Sequence, residues 1–185
     1  CNNQEVLVDS FGRRVTSLRI SITNRCNLNC IYCHHEGDTS SKNEMSVDTI
    51  SRIVHTASSY GVNKVKFSGG EPLMRNDFED ILQSLPSLKE VSATTNGVFL
   101  KNRAHDLKAA GLDRVNISLD SLDPERYRCI TNGKQGNLEN VLDGVHASVD
   151  AGLTPVKLNT ILLKGINDTK IDEMLDFIRG YNGDV

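Results

Sequence analysis

The stretch "SLRISITNRCNLNCIYC" (residues 17–33) joins a strand pattern to a cluster of cysteines. In its first part, apolar and polar residues alternate from Leu18 to Ile22, which is typical of a β-strand with one buried face. In its second part, three thiols with the spacing C-x3-C-x2-C fall within eight positions: Cys26, Cys30 and Cys33. The stretch therefore predicts a strand whose carboxyl end leads directly into a thiol-rich loop.

Strand patterns recur along the chain, with helical patterns between them. The strand segments are residues 17–22, 64–69, 90–95, 114–120 and 155–162. Apolar residues with helical spacing lie between or after them, and the predicted N-caps of these helices are Ser46, Asn76, Asp123 and Asp168. Repeated βα units predict an α/β protein with a parallel sheet, either a barrel or a doubly wound sheet.

The predicted strands are amphipathic, although parallel strands are usually buried on both faces. Helices must cover the apolar faces, so we expect the polar faces to converge on one interior space. Arg19, Lys66 and Lys157 belong to the polar set, which predicts an anionic ligand such as a phosphate ester. The alternative is that some of these positions face solvent at a sheet edge.

Composition excludes several classes of protein. A chain of 185 residues with 38% hydrophobic residues suits one domain with a sizeable core. The net charge of −3 argues against a nucleic-acid binder, and no apolar run is long enough to span a membrane. The first ten residues lack the pattern of a signal peptide, and five cysteines are an odd number. We therefore expect a cytoplasmic protein whose thiols stay reduced and serve as ligands.

Four interpretations of the cysteine cluster differ in chemistry. Covalent haem attachment would match "CIYCH" (residues 30–34), and a thioredoxin-like redox pair would match the same C-x-x-C, but both leave Cys26 without a role. A structural zinc site would need His34 or His35 as a fourth ligand. A [4Fe–4S] cluster bound by three cysteines keeps one iron open for a substrate or cofactor, as catalytic centres do.

C-x3-C-x2-C after a first strand, together with "FSGGEPLMR" (residues 67–75) on the second βα unit, resembles the radical S-adenosylmethionine (radical SAM) enzymes. The resemblance implies a partial (βα)6 TIM-like barrel, of which about five βα units would be present. It also implies a [4Fe–4S] cluster and S-adenosylmethionine as cofactors. Within that superfamily, "SLDSLDPERY" (residues 118–127) and "KGINDTKIDEML" (residues 164–175) are similar to the GTP 3′,8-cyclases of molybdenum cofactor biosynthesis.

The resemblance assigns roles to residues that match the family's motifs. The cluster ligands would be Cys26, Cys30 and Cys33. The residues binding S-adenosylmethionine would be Tyr32, Gly69, Gly70, Glu71, Ser118 and Asp120. The residues binding GTP would be Arg19, Lys66, Thr94 and Lys157. The implied partners are GTP, a reducing electron donor, the next enzyme of the pathway, which makes cyclic pyranopterin monophosphate, and a second copy in a homodimer.

The family carries a second cysteine triplet in a C-terminal extension, and only Cys1 and Cys129 remain here outside the cluster. We expect Cys129 to be a small buried side chain on a helix. Residues 1–185 are expected to form a single radical SAM core domain that is cut from a longer protein. Two other hypotheses stay open at this point: a radical SAM enzyme acting on a peptide or tetrapyrrole, and a non-catalytic iron–sulfur or zinc domain.

Overall fold

The computed structural model describes residues 6–33 and 44–185, in which strands and helices alternate along the chain. The strands are β1 (Ser17–Ser21), β2 (Lys64–Ser68), β3 (Glu90–Thr95), β4 (Arg114–Ser118) and β5 (Lys157–Asn159). The helices are α1 (Val47–Ser59), α2 (Phe78–Gln83), α3 (Leu100–Ala109), α4 (Pro124–Thr131), α5 (Asn137–Asp150) and α6 (Ile171–Arg179). A short 3-10 helix, Pro72–Met74, precedes α2. The α/β class and the five βα units are confirmed.

The five strands form one sheet in sequential order, β1-β2-β3-β4-β5, and every neighbouring pair is parallel. A doubly wound sheet would reverse its strand order at a switch point, whereas a β/α barrel adds each strand beside the previous one. The order therefore favours an arc of a barrel over the doubly wound alternative. None of the helices in the described part of the chain is long and apolar enough to cross a membrane.

The core lies between the apolar face of the sheet and the helices. Strand residues such as Phe67, Val115 and Ile117 are fully buried there, as are Phe78 on α2 and Leu107 on α3. The rings of Phe67 and Phe78 meet edge to face with centroids 5.4 Å apart. This packing is what the alternation of the strands predicted, and it leaves the opposite face of the sheet to polar side chains.

Two of the predicted N-caps are confirmed. The side chain of Ser46 accepts a hydrogen bond from the backbone N–H of Thr49 at the start of α1. The side chain of Asp123 accepts one from the backbone N–H of Arg126, and Pro124 occupies the first position of α4. Both caps are local features, because the capping group and its donor lie three residues apart.

The other two predicted N-caps are wrong. Helix α2 begins after Asp77 rather than Asn76, and its cap residue makes no side-chain capping bond because the Asp77 carboxylate binds Arg75 instead. Helix α6 begins after Lys170, since the side chain of Asp168 accepts from the N–H of Gly165 in the preceding turn. Helix α2 thus starts one residue later than predicted, and Asp168 serves the turn before α6 rather than the helix.

Helix α3 and the position of Cys129 also differ from expectation. No helix was predicted at 100–109, although Leu100, Ala104 and Leu107 form a narrow apolar stripe that the structure buries. Cys129 is exposed on the outer face of α4 rather than buried, because the buried stripe of that helix falls on Tyr127 and Ile130.

Arg75 anchors the segment that follows β2, and its ion pair with Asp77 predicts a pH dependence. The guanidinium is buried, and it donates to the carbonyl oxygens of Ile22 (3.0 Å) and Met45 (2.8 Å). Its hydrogen bonds to Asp77, 2.8 and 2.7 Å long, lower the pKa of that carboxyl below the ordinary value of 3.8. A carboxyl whose pKa is lower in the folded than in the unfolded state stabilises the fold above the unfolded pKa, and this contribution is lost as the pH falls through the folded pKa.

We therefore expect the free energy of unfolding of the wild type to fall steeply as the pH drops below 3.8. In Asp77→Asn, which has no carboxyl group to protonate at this position, the free energy of unfolding should fall less steeply over the same pH range. Urea unfolding at several pH values measures the slope. Asp106→Asn, which changes an exposed carboxyl on α3, serves as the control and should follow the wild-type curve. Equal slopes for the wild type and Asp77→Asn would contradict the role of the ion pair.

Candidate active site

The cysteine loop leaves the carboxyl end of β1 and is held in place by the end of α4. The N–H groups of Asn29 and Ile31 each donate over 2.9 Å to the carbonyl oxygens of Thr131 and Ile130. The side chain of Asn132 adds a 2.8 Å bond to the carbonyl oxygen of Asn29. Cys26 and Cys33 are exposed on this loop and Cys30 is half-buried, so the three thiols lie where a βα-barrel enzyme places its chemistry.

A second brace comes from the glycine pair after β2. The N–H of Gly70 donates to the carbonyl oxygen of Thr23 (2.8 Å), and the N–H of Glu71 donates to that of Arg25 (2.7 Å). A Cβ atom on Gly69 would lie 2.3 Å from the carbonyl oxygen of Thr23, and one on Gly70 would lie 2.4 Å from that of Arg25. Glycine is needed at both positions because the backbone of β2 passes directly against the backbone of the cysteine loop.

Glu71 ties the end of β2 to the end of β3. Its carboxylate is fully buried and accepts hydrogen bonds from the N–H of Leu73 (2.9 Å), the hydroxyl of Thr95 (2.7 Å) and the N–H of Asn96 (2.6 Å). Burial raises the pKa of Glu71, and these three hydrogen bonds act in the opposite direction. Protein donors thus engage both carboxylate oxygens, and the backbone N–H and carbonyl of Glu71 are also hydrogen-bonded, to Arg25 and Met74, so the structure uses Glu71 as a link between segments.

Tyr32 and Asp120 meet across the same end of the sheet, although 88 residues separate them. The Tyr32 hydroxyl donates to one oxygen of Asp120 over 2.6 Å, and the other oxygen accepts from the N–H of Ile161 (2.8 Å). Burial, followed by the contact with Asp120, raises the pKa of Tyr32, so its hydroxyl remains a donor. Ser118 ends β4, two residues before Asp120 along the chain, and is half-buried. The structure therefore brings together the residues predicted to bind S-adenosylmethionine from β1, β2 and β4.

Tyr127 contributes a buried hydroxyl beside this group. Its side chain is 2% exposed, and within 6–33 and 44–185 its oxygen has no hydrogen-bond partner. Burial, and then the nearby Cys30 and Asp120, raise the pKa of Tyr127. A protonated donor without a partner is costly in an apolar interior, which is consistent with a site built around a polar ligand.

The three thiols of the cysteine loop are a donor set that fits an iron–sulfur cluster. Burial raises the pKa of Cys26, and it raises the pKa of Cys30 to about 11, so metal binding must displace protons from these thiols. Among the described residues, no three His, Cys, Asp or Glu side chains converge on a position for one ion. A [4Fe–4S] cluster does not need such convergence, because each thiolate binds a different iron. His34 and His35, the fourth ligands of the zinc alternative, lie outside the described residues.

The polar face of the sheet lines a cavity of about 830 Å³. The predicted cations Arg19, Lys66 and Lys157 lie on it, with Arg19 and Lys66 side by side in the register of β1 and β2. Burial lowers the pKa of Lys66, and its cationic neighbours Arg114, Arg19 and Lys157 lower it further. Thr94 lies one row nearer the carboxyl ends, beside Asn116 on β4. Lys66 is half-buried, whereas Arg19 and Lys157 are exposed, so the face is an electropositive surface that solvent reaches.

Arg114 is a further cation of this face that was not predicted as a site residue. It donates to Glu90 (2.6 Å) and to Asn116 (2.8 Å), and it lines the same cavity. Polar and apolar residues alternate in "RVNISLD" (residues 114–120), and this alternation already placed Arg114 on the polar side of β4. Its position at the first residue of the strand made it resemble a flanking charge.

Comparisons with known proteins agree with this geometry. The family model described as "Radical SAM superfamily" matches residues 20–178. A relative from Methanosarcina mazei is 64% identical over 189 residues, and one from Archaeoglobus fulgidus is 46% identical over 177; both are named "Probable GTP 3',8-cyclase". The alignments cover 100% and 96% of this chain but only 57% and 59% of the relatives. The chain thus spans less than two thirds of the length of these relatives.

Solved structures show the same fold. Streptococcus suis SuiB bound to S-adenosylmethionine has a TM-score of 0.70 at 23% identity, covering 87% of this chain and 35% of SuiB. The enzyme anSMEcpe with bound AdoMet has a TM-score of 0.71 at 19% identity, covering 91% of this chain and 49% of that one. Since the family model spans most of the described sheet and its site, the chain belongs to the radical SAM superfamily, whose members use a [4Fe–4S] cluster and S-adenosylmethionine.

Proposed function

We propose that the protein acts in the GTP 3′,8-cyclase reaction, the first step of molybdenum cofactor biosynthesis. This reaction converts GTP to (8S)-3′,8-cyclo-7,8-dihydroguanosine 5′-triphosphate. The observation that carries the proposal is the electropositive cavity on the sheet whose carboxyl end bears the cysteine loop. The names of the relatives at 46–64% identity support the same substrate.

In this proposal, Cys26, Cys30 and Cys33 hold the cluster with one thiolate on each of three irons. The cluster and S-adenosylmethionine, when bound, supply the one-electron chemistry that generates a hydrogen-abstracting radical. The amino and carboxylate groups of S-adenosylmethionine would approach the backbone of Gly69 and Gly70, which lies directly against the cysteine loop. This close approach requires residues without a side chain.

The remaining residues at this end of the sheet would orient S-adenosylmethionine. Tyr32 and Asp120 already hold each other in place, and Ser118 adds a hydroxyl from the end of β4. The hydroxyl of Tyr127 is buried beside them and can donate to a polar group of the cofactor. Preorganised donors of this kind position a ligand without further loss of side-chain entropy.

Arg19, Lys66 and Lys157 would bind the triphosphate of GTP, with Thr94 as a hydroxyl donor nearer the cysteine loop. Burial lowers the pKa of Lys66, and repulsion by the neighbouring cations Arg114, Arg19 and Lys157 lowers it further. A triphosphate relieves that repulsion and forms charge-assisted hydrogen bonds. The reaction also requires a reducing electron donor and an enzyme that takes the product on to cyclic pyranopterin monophosphate, and a reducing cytoplasm would keep the thiols available.

The test uses GTP deuterated at the ribose 3′ position. Anaerobically reconstituted protein is incubated with S-adenosylmethionine, dithionite and labelled GTP, and the 5′-deoxyadenosine formed is analysed by mass spectrometry. We expect deuterium in the deoxyadenosine, because the 3′ hydrogen is the atom abstracted. Unlabelled deoxyadenosine formed at the same rate without GTP would refute GTP as the substrate and favour a peptide or tetrapyrrole instead.

Lys66 variants test the triphosphate site separately from catalysis. We expect Lys66→Ala to raise the Kd of GTP about tenfold, the loss expected for one hydrogen bond to a charged group. Lys66→Arg keeps the charge and should stay within about threefold of the wild type. Lys108→Ala removes an exposed cation on α3 and is the control. Calorimetry with GTP measures the Kd, and an unchanged value for Lys66→Ala would remove the cavity from the proposal.

A further inference from the structure

Asn96, the first residue after β3, lies where the end of this strand approaches the cysteine loop. Its backbone N–H donates to the buried carboxylate of Glu71 over 2.6 Å. Its side-chain oxygen accepts from the N–H of Val98 over 3.1 Å. These two bonds fix both the backbone and the side chain of Asn96, which is half-buried.

The bond to Val98 decides which way the amide of Asn96 faces. A backbone N–H can only donate, so the side-chain atom that meets Val98 must be the oxygen. The opposite orientation would set two donors against each other. The amide nitrogen therefore points to the cysteine loop, where it donates to the side-chain oxygen of Asn27 (2.7 Å) and to the sulfur of Cys26 (3.9 Å).

We propose that Asn96 is a positioning residue that orients Cys26 and raises the reduction potential of the cluster through its N–H···S hydrogen bond. A thiolate that binds iron is a stronger acceptor than a thiol, so ligation strengthens the contact. Donation to a ligating sulfur withdraws electron density and favours the reduced cluster, which carries more negative charge. The inference rests on the proposed ligation by Cys26 but not on GTP as the substrate.

Further hydrogen bonds around Asn96 hold its contact with Cys26 in place. The carboxylate of Glu71 accepts a hydrogen bond from the N–H of Asn96, and the backbone N–H of Glu71 donates one to the carbonyl oxygen of Arg25 in the cysteine loop. The ends of β2 and β3 and the residue next to Cys26 thus form one connected set of hydrogen bonds. Because each member is held by at least two bonds, the amide cannot turn away from Cys26 without breaking another bond.

The test is an EPR-monitored redox titration of the cluster in anaerobically reconstituted protein. For Asn96→Ala we expect a more negative reduction potential of the cluster. At a fixed solution potential, the ratio of reduced to oxidised cluster should fall about threefold, the size expected for one hydrogen bond. Asn96→Asp keeps the acceptor for Val98 but replaces the donor with an anion, so its shift should be larger in the same direction.

The control is Asn132→Gly. Asn132 also braces the cysteine loop, through the carbonyl oxygen of Asn29, but within residues 6–33 and 44–185 it donates to no sulfur. Glycine accepts its left-handed backbone (φ 46°). The reduction potential of the cluster in Asn132→Gly should equal that of the wild type. Iron content and thermal unfolding are measured on every variant, so that only folded, fully loaded protein is compared.

Wild-type potentials in fully loaded Asn96→Ala and Asn96→Asp would overturn the inference, as would an equal shift in Asn132→Gly. If Asn96→Ala binds no cluster, Asn96→Asp decides, since it preserves the shape and the bond to Val98. A normal cluster without deuterium transfer from GTP would refute the proposed substrate alone. The two proposals therefore fail in different measurements.

Discussion

Gly70→Ala is expected to lower the free energy of unfolding by about 3 kcal/mol or more, as overpacking against a fixed backbone does. The added Cβ would lie 2.4 Å from the carbonyl oxygen of Arg25 and 2.7 Å from that of Asn24. Neither oxygen belongs to a flexible side chain, so the cysteine loop itself must move. That movement breaks the hydrogen bonds from Gly70 to Thr23 and from Glu71 to Arg25. Urea unfolding of the cluster-free protein measures the loss of stability.

The control for this substitution is Gly180→Ala at the end of α6. Gly180 has a right-handed backbone (φ −65°), and a Cβ there would come no closer than 3.4 Å to its neighbours. We expect its stability to stay within about 0.5 kcal/mol of the wild type. If Gly70→Ala were equally mild, the close approach of the two backbones would not be a constraint on the fold.

Cys30→Ala is expected to abolish cluster binding and, with it, the reductive cleavage of S-adenosylmethionine. Cys30 is the central thiol of the loop, and its removal leaves two thiolates, too few for the three irons that protein ligands hold in this family. Iron and sulfide analysis after anaerobic reconstitution, together with the visible absorbance of the cluster, should show near-complete loss. Formation of 5′-deoxyadenosine should fall to the level of a reaction without protein.

Cys129→Ala is the matched control, because Cys129 is exposed on α4, outside the three-cysteine loop. It should bind iron and form deoxyadenosine as the wild type does. A full cluster in Cys30→Ala would contradict the ligand assignment. Zinc in place of iron in anaerobically purified wild-type protein would instead support the non-catalytic metal-binding hypothesis.

Much of the fold was predictable because strand patterns are local. The alternation of apolar and polar residues depends only on positions two apart, so all five strands and the polar set containing Arg19 and Lys66 were identified without the structure. The caps at Ser46 and Asp123 were predictable for the same reason. The caps proposed at Asn76 and Asp168 failed: α2 begins one residue later than predicted, after Asp77, and the side chain of Asp168 binds the N–H of Gly165 instead.

The sequence also determined the family, because the cysteine spacing together with "FSGGEPLMR" resembles the radical SAM enzymes, and the family model over residues 20–178 confirms it. Only the tertiary structure decided between a barrel arc and a doubly wound sheet, and only it showed that the Glu71 carboxylate is occupied by protein donors. The contact between Asn96 and Cys26 joins residues 70 positions apart. Such contacts depend on how β1, β2 and β3 align in the sheet, and that alignment is set by packing across the whole core rather than by any local pattern.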